Sequence, residues 1–217
     1  VVGKDEREGS SPSWFNSHEC QQVMRYVQAL LRVRGRPLAP ADIGVITPYN
    51  RQAQKLSRLL AGAELPVGKG GIKVGSTELF QGQERKVIIL STVRSSADQI
   101  GFDVAHNLGF LQNPKRFNVA TTRACCLMIV VGNPHVLATD PHWGHLLRLC
   151  VQLGAYRGVP APTVTTQTAT TGSARAGGSG GGGDGALTGD GGDGVEELTR
   201  QLEQLMLGAS ARRLATP

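Results

Sequence analysis

The chain is poor in features that declare a function outright. Aromatic residues make up 5% and charged residues 18% of its 217 positions. Cys20, Cys125, Cys126 and Cys150 occur without a Cys-x-x-Cys spacing. That removes a zinc ribbon or a dithiol redox pair and leaves four small core residues of a reducing compartment. The apolar runs fall far short of the roughly 20 residues that cross a bilayer, and neither a secretory leader nor an Asn-x-Ser/Thr sequon is present. These absences set the expectation of a soluble, cytoplasmic protein with no membrane partner. The segment Gly68-Lys69-Gly70-Gly71-Ile72-Lys73 is rich in glycine but lacks the Gly-x-x-x-x-Gly-Lys-Ser/Thr order of a phosphate-cradling loop. No Asp-Glu pair follows an apolar strand to hold Mg²⁺, so a complete nucleotide-hydrolysing site is not encoded here. Asp140, His142, His145 and Cys150 lie close in sequence, but a zinc site needs a second, firmly spaced pair, so no metal site is expected.

What is present is basic and alternating. The formal charge is +6 and the pI about 9.5, which suits either a polyanionic partner or an ordinary solvated surface. Val1 to Pro12 reads as a polar surface segment. A helix capped by Ser17 follows, with Val23, Tyr26, Val27, Leu30 and Leu31 at helical spacing, stopped by Gly35 and Pro37. Apolar strands are expected over Ile43–Thr47, Ile72–Thr77, Val87–Val93 and Cys126–Val131. Helices are expected after Pro48, from about Lys115 to Ala124, and around Leu146 to Leu153. Strands alternating with helices argue for an open parallel α/β sheet, in which ligands sit beyond the carboxyl ends of the strands. Past Pro162 the composition changes. Residues 161–194 are rich in threonine and glycine and read as a disordered linker. Residues 195–217 read as a tail in which Leu198, Leu202 and Leu205 line one side of a short amphipathic helix, too short to be stable alone.

Three segments place polar groups at strand ends: Thr47-Pro48-Tyr49-Asn50-Arg51-Gln52, Ser76 to Arg85, and Asn118 to Ala124. Gly82 allows close backbone approach. Glu84 can accept from a ribose hydroxyl or a water, and Arg123 can stabilise charge on a transferred phosphoryl group. Each also has a plain reading: Thr47 as a helix cap, Glu84 and Arg85 as solvated loop charges, Arg123 paired with a surface carboxylate.

Together, IGVITPYNRQ, VGSTELFQGQERKVIILSTVRSS and NPKRFNVATTRA, in this order, resemble the late motifs of superfamily 1 helicases of the up-frameshift type. The text around them (GKDEREGSSPSWFN and FLQNPKRFNVATTRACCLMIVVGNP) is closer still to the Moloney-leukaemia-virus-ten, Armitage-like RNA helicases. The resemblance covers roughly Gly3 to Pro160. It implies a RecA-like three-layer α/β domain with a mostly parallel sheet, of the P-loop NTPase fold, forming the second motor domain over residues 1–160. It also implies an ATP-dependent helicase moving 5′ to 3′ on single-stranded RNA, working in gene silencing or mRNA turnover. Such a protein would act in cytoplasmic P-bodies or ribonucleoprotein granules, with Argonaute-type silencing proteins as partners.

By position, Arg123 would be the arginine finger. Glu84 and Gly82 would face the nucleotide, with Gln81 between the nucleotide and RNA sites. Thr47, Ser76 and Thr77 would contact RNA phosphates, with Arg94 as a further contact. ATP and Mg²⁺ would be held mainly by a first RecA-like domain, and the chain, starting at Val1, reads as a fragment without that partner. Cys125 stands where the family usually has lysine, and Leu79 and Thr121 also replace commoner residues. A non-catalytic RNA-binding or scaffold module derived from a helicase, or a DNA helicase domain, would fit the same motifs.

Overall fold

The computed structural model describes residues 1, 3–9, 13–35, 37–96, 98, 101, 109–162 and 195–204. A small antiparallel ribbon, β1 (Glu6–Arg7) and β2 (Trp14–Phe15), precedes helix α1 (Ser17–Arg32). Then come β3 (Ile43–Ile46), α2 (Asn50–Gly62), β4 (Lys73–Gly75) and β5 (Arg85–Ser91). Helix α3 (Pro114–Thr121), β6 (Ala124–Val131), α4 (Pro134–Leu137) and α5 (Pro141–Gln152) follow. Residues 195–204 form a further helix, α6.

Strands β3 to β6 make one parallel sheet in the order β4-β3-β5-β6, the α/β RecA-like architecture expected. The central strands are apolar on both faces because both faces are covered. Val87 and Ile89 join α1 and α2 in one core, whereas Ile88 and Leu90 join Phe80, Phe110 and Trp143 in the other. Side chains of period two thus feed two cores from one strand. Gly44 has a steric reason: a Cβ there would meet Phe80 and Ile88 at 2.7 and 2.8 Å, so the Phe80 ring lies directly on the sheet. Each expected strand is found, with shifted ends. Strand β5 begins at Arg85 and β6 at Ala124 because these two residues pair in register.

The N-terminal segment departs from the sequence reading. It is not simply surface: the Asp5 side chain is 5% exposed and paired with Arg94 at 3.0 Å. The cap of α1 is Asn16, not Ser17. The Asn16 carboxamide accepts from Glu19 N at 3.1 Å and donates to Val93 O and to Ser95 Oγ at 3.2 and 3.0 Å. Thr47 caps nothing; α2 starts after Tyr49, with no side-chain cap. Of residues 161–194, all but the first two lie outside the described residues, as do residues 205–217. Helix α6 does not stand alone: Val195 and Leu202 are each 3% exposed and enter the core built on α1.

Beneath the carboxyl end of β5 lies a buried polar network. Gln52 Nε2 donates to Ser91 Oγ at 2.8 Å, and Ser91 donates to Glu19 Oε2 at 2.6 Å. Val93 N donates to the same oxygen at 2.9 Å. Burial lifts the Glu19 carboxyl from 4.5 to about 7, against the opposing pull of the Ser91 and Val93 hydrogen bonds. Between those values the folded state holds a proton that the unfolded state has released. The stability that this proton confers is present below pH 4.5 and is lost as pH rises through about 7. Glu19→Gln should remove that dependence, worth about 3 kcal/mol across the window. Urea unfolding of both proteins at about pH 5 and about pH 8 measures it; equal pH slopes would refute it.

Candidate functional site

Residues flanking the sheet divide between its two edges. At the amino edge, Arg85 N donates to Arg123 O at 3.1 Å, which sets Glu84 and Arg123 beside each other at the starts of β5 and β6. Helix α3 delivers Arg123. Asn113 caps it by accepting from Arg116 N at 3.2 Å, and Pro114 occupies its first turn. The helix ends in a threonine pair whose hydroxyls turn back, Thr121 to Phe117 O and Thr122 to Asn118 O, both at 2.8 Å. Arg123 then folds over this end, with Nε 3.2 Å from Val119 O and Nη2 2.9 Å from Thr122 Oγ1. A cation there meets the negative end of the helix dipole. Arg123 forms no ion pair among the described residues, so the surface-carboxylate reading does not hold. Its guanidinium is half-buried and restrained by neutral groups only.

The Glu84 carboxylate is exposed, and the Cys125 thiol donates to its Oε2 at 3.5 Å. Desolvation, then the bond to Glu84 and its charge, raise the Cys125 thiol above its ordinary value. The cysteine that replaces the lysine usual in the family is therefore in contact with the glutamate. Its sole signal in the sequence was that departure.

The segment from Ser76 to Glu84 joins the edges. Gly75 is level with Ile46 and Leu90 at the carboxyl edge, whereas Glu84 precedes β5 at the amino edge, so these residues descend the height of the sheet. Phe80 pins the middle, fully buried on Gly44. Lys73 fastens the descent by donating to Leu79 O at 2.9 Å and to the Gln83 carboxamide, with Nζ 5.1 Å from the Phe80 ring. Gly82 turns the chain with φ of 70°, a left-handed conformation that costs any other residue. Gln81 is exposed partway down. Glu78 ties this segment to α3 through Arg116, at 2.9 and 3.0 Å. Nothing in the sequence singled out Lys73 or Arg116, because neither belongs to a recognisable spacing.

At the carboxyl edge, Thr47 N donates to Gly75 O at 3.1 Å, aligning the ends of β3 and β4. Ser76 is half-buried and borders an open groove of about 370 Å³ between α2 and β4, whose walls include Asn50, Gln54, Arg58 and Leu79. Thr47 and Thr77 are 0% and 2% exposed, and their hydroxyls are buried without a partner among the described residues. Neither hydroxyl is presented at the surface, which corrects the expected direct contact. Arg94 is corrected more firmly. It is 1% exposed, with Nη1 3.0 Å from Asp5 Oδ2 and Nε 3.0 Å from the Tyr49 hydroxyl, and its guanidinium stacks 4.4 Å from the Trp14 ring. It is a core residue, not a phosphate contact. The rule that ligands sit beyond the carboxyl ends accounts for the Ser76 edge but not for Arg123 and Glu84, which sit at the other edge.

Two of the residues clustered near Asp140 in sequence have structural contacts. Asp140 caps α5 by accepting from His142 N and Trp143 N at 2.9 and 3.1 Å, and His142 stacks on Phe117 with ring centroids 5.5 Å apart.

Residues 1–135 match the family model described as an AAA domain. MOV-10 of Gallus gallus, named a helicase, is 51% identical over 169 residues, 74% of this chain and 17% of that protein. The protein of Drosophila melanogaster named RNA helicase armi is 41% identical over 162 residues, 75% of this chain and 13% of that protein. The regulator of nonsense transcripts 1 homologue of Arabidopsis thaliana is 38% identical over 148 residues, 67% of this chain and 11% of that protein. The chain thus spans less than a fifth of these relatives. It belongs to the AAA-domain family, is similar to proteins named as the MOV-10 and armi helicases and as a regulator of nonsense transcripts, and has an α/β RecA-like fold.

Proposed function

We propose that this chain is the second motor domain of an ATP-dependent RNA helicase. The observation that carries the reading is Arg123, held at the amino edge beside Glu84 by neutral hydrogen bonds and in no ion pair among the described residues. An arginine so placed can swing onto a phosphoryl group without first breaking an ion pair. Its planar fork suits three spread phosphate oxygens. Glu84, exposed next to it, would accept from the nucleotide's ribose, with Gly82 and Gln81 lining the approach. A lone carboxylate beside an arginine does not suit Mg²⁺, so the metal and the phosphates would be held by a first RecA-like domain.

Ser76 and the backbone around Thr47 and Thr77 would meet the phosphates of single-stranded RNA at the opposite edge. The Ser76 to Glu84 segment spans the two edges. Closure of the cleft around ATP would bring Arg123 onto the nucleotide and, through Lys73, Phe80 and Gly82, shift the RNA grip; hydrolysis would release it. We further place the full-length protein in silencing or mRNA turnover, in cytoplasmic granules and with Argonaute-type partners, as the resemblance in sequence implies; a relative named as a regulator of nonsense transcripts agrees with the turnover reading.

The test is unwinding by the full-length protein on matched RNA and DNA duplexes bearing 5′ or 3′ overhangs. RNA duplexes with a 5′ overhang should be opened in the presence of ATP. Preference for DNA would move the assignment to a DNA helicase, and RNA binding without ATP-driven unwinding would move it to a binding module.

A further inference from the structure

Helix α6 lies on the outer side of α1 rather than within the alternating strand–helix order. Among the described residues its contact is small. Val195 and Leu202 are buried, Leu198 is partly so, and the three follow one stripe at i, i+3 and i+7. Two hydrogen bonds accompany them: Thr199 Oγ1 to Ala29 O at 3.4 Å, and Arg34 N to Glu203 Oε1 at 3.0 Å. The second satisfies a backbone donor just past the end of α1. Residues 195–204 carry Glu196, Glu197 and Glu203, of which Glu197 pairs with Arg200 within the helix, and Arg25, Arg32 and Arg34 stand on α1 and its exit. Residues 163–194, rich in threonine and glycine, join this helix to the domain, and a stretch of that length reaches roughly 100 Å when extended.

We propose that the outer face of α1 is a reversible binding site for an acidic amphipathic helix, and that its resident ligand is the chain's own residues 195–204, docked in cis. Two facts argue for reversibility over a permanent part of the fold. Among the described residues the helix buries two side chains and part of a third, and a helix of this length does not stand alone in water. Its attachment to the same chain makes docking intramolecular, which keeps a weak contact closed. A partner presenting the same apolar spacing and acidic flank would compete for the same face.

The test uses the whole chain and a fluorescent peptide of residues 195–207. Leu202→Asp should release the resident helix and leave the domain folded by circular dichroism. The peptide should then bind this variant saturably. Its affinity for the intact chain should be about tenfold weaker or worse, because the tethered copy competes. Val195→Asp, which releases the helix from its other end, should behave alike, and a peptide carrying Leu202→Asp should bind neither. The inference is overturned if the peptide ignores both folded variants, if it binds intact chain and variants equally, or if the intact chain is a dimer with exchanged tails. None of these outcomes depends on ATP or RNA.

Discussion

On the proposed function, Arg123→Ala in the full-length protein is expected to slow RNA-stimulated ATP hydrolysis by a factor of about 10³ or more while leaving ATP affinity within a few-fold. The structural ground for that split is that Arg123 holds nothing else together. Its two hydrogen bonds run to Val119 O and Thr122 Oγ1 in the adjoining turn, and α3 is closed independently by the Thr121 and Thr122 hydroxyls. Removing the side chain should therefore leave the domain folded and the ground-state complex intact, and take away a contact made only as charge develops on the transferred phosphoryl group. Arg123→Lys should restore little of the rate, since a point charge does not reproduce a planar fork. Single-turnover hydrolysis alongside equilibrium nucleotide binding separates the two quantities. A variant hydrolysing ATP at the parental rate would remove Arg123 from the chemistry.

Arg94→Leu is expected to fail differently, by unfolding the domain. The guanidinium is enclosed by Asp5, the Tyr49 hydroxyl and the Trp14 ring, and Asp5 also accepts from Ser95 N and Ser96 Oγ at 3.3 Å each. Taking away the arginine leaves a buried carboxylate without its counter-charge, which costs about 3–5 kcal/mol. Removing both partners, as Asp5→Leu with Arg94→Leu, should recover much of the loss, because the charge that had to be buried is gone. Chemical denaturation of the two single variants and the double variant measures the coupling. RNA binding at a temperature where Arg94→Leu is still folded should keep the parental salt dependence. A slope lower by about one would show that Arg94 neutralises a phosphate after all.

The two arginines show how much could be read from the chain. Both stand in segments that match helicase motifs, and both carry a charge that phosphate would attract. The order of residues separates neither from the other. Arg123 ends a helix at the lip of the sheet, where only neutral groups reach it. Arg94 follows a strand whose end is roofed by the N-terminal ribbon, and that roof depends on Asp5, nearly ninety positions earlier.

The sequence by itself determined the repeating strand–helix order, the parallel sheet and the family. Those rest on local quantities: apolar runs, helical spacing, glycine and proline stops, and short motifs that survive as text. Gly82 was singled out for close backbone approach, but no neighbour lies within 4 Å of a Cβ there, and it is a left-handed φ of 70° that selects glycine. Only the tertiary structure decided which charges are free. It put Glu84 and Arg123 on one edge of the sheet and Ser76 on the other, buried the Thr47 and Thr77 hydroxyls, and seated α6 on α1. Each of these is a pairing between distant positions, fixed by burial and by the need to satisfy every polar group removed from water, and no window of neighbouring residues records it.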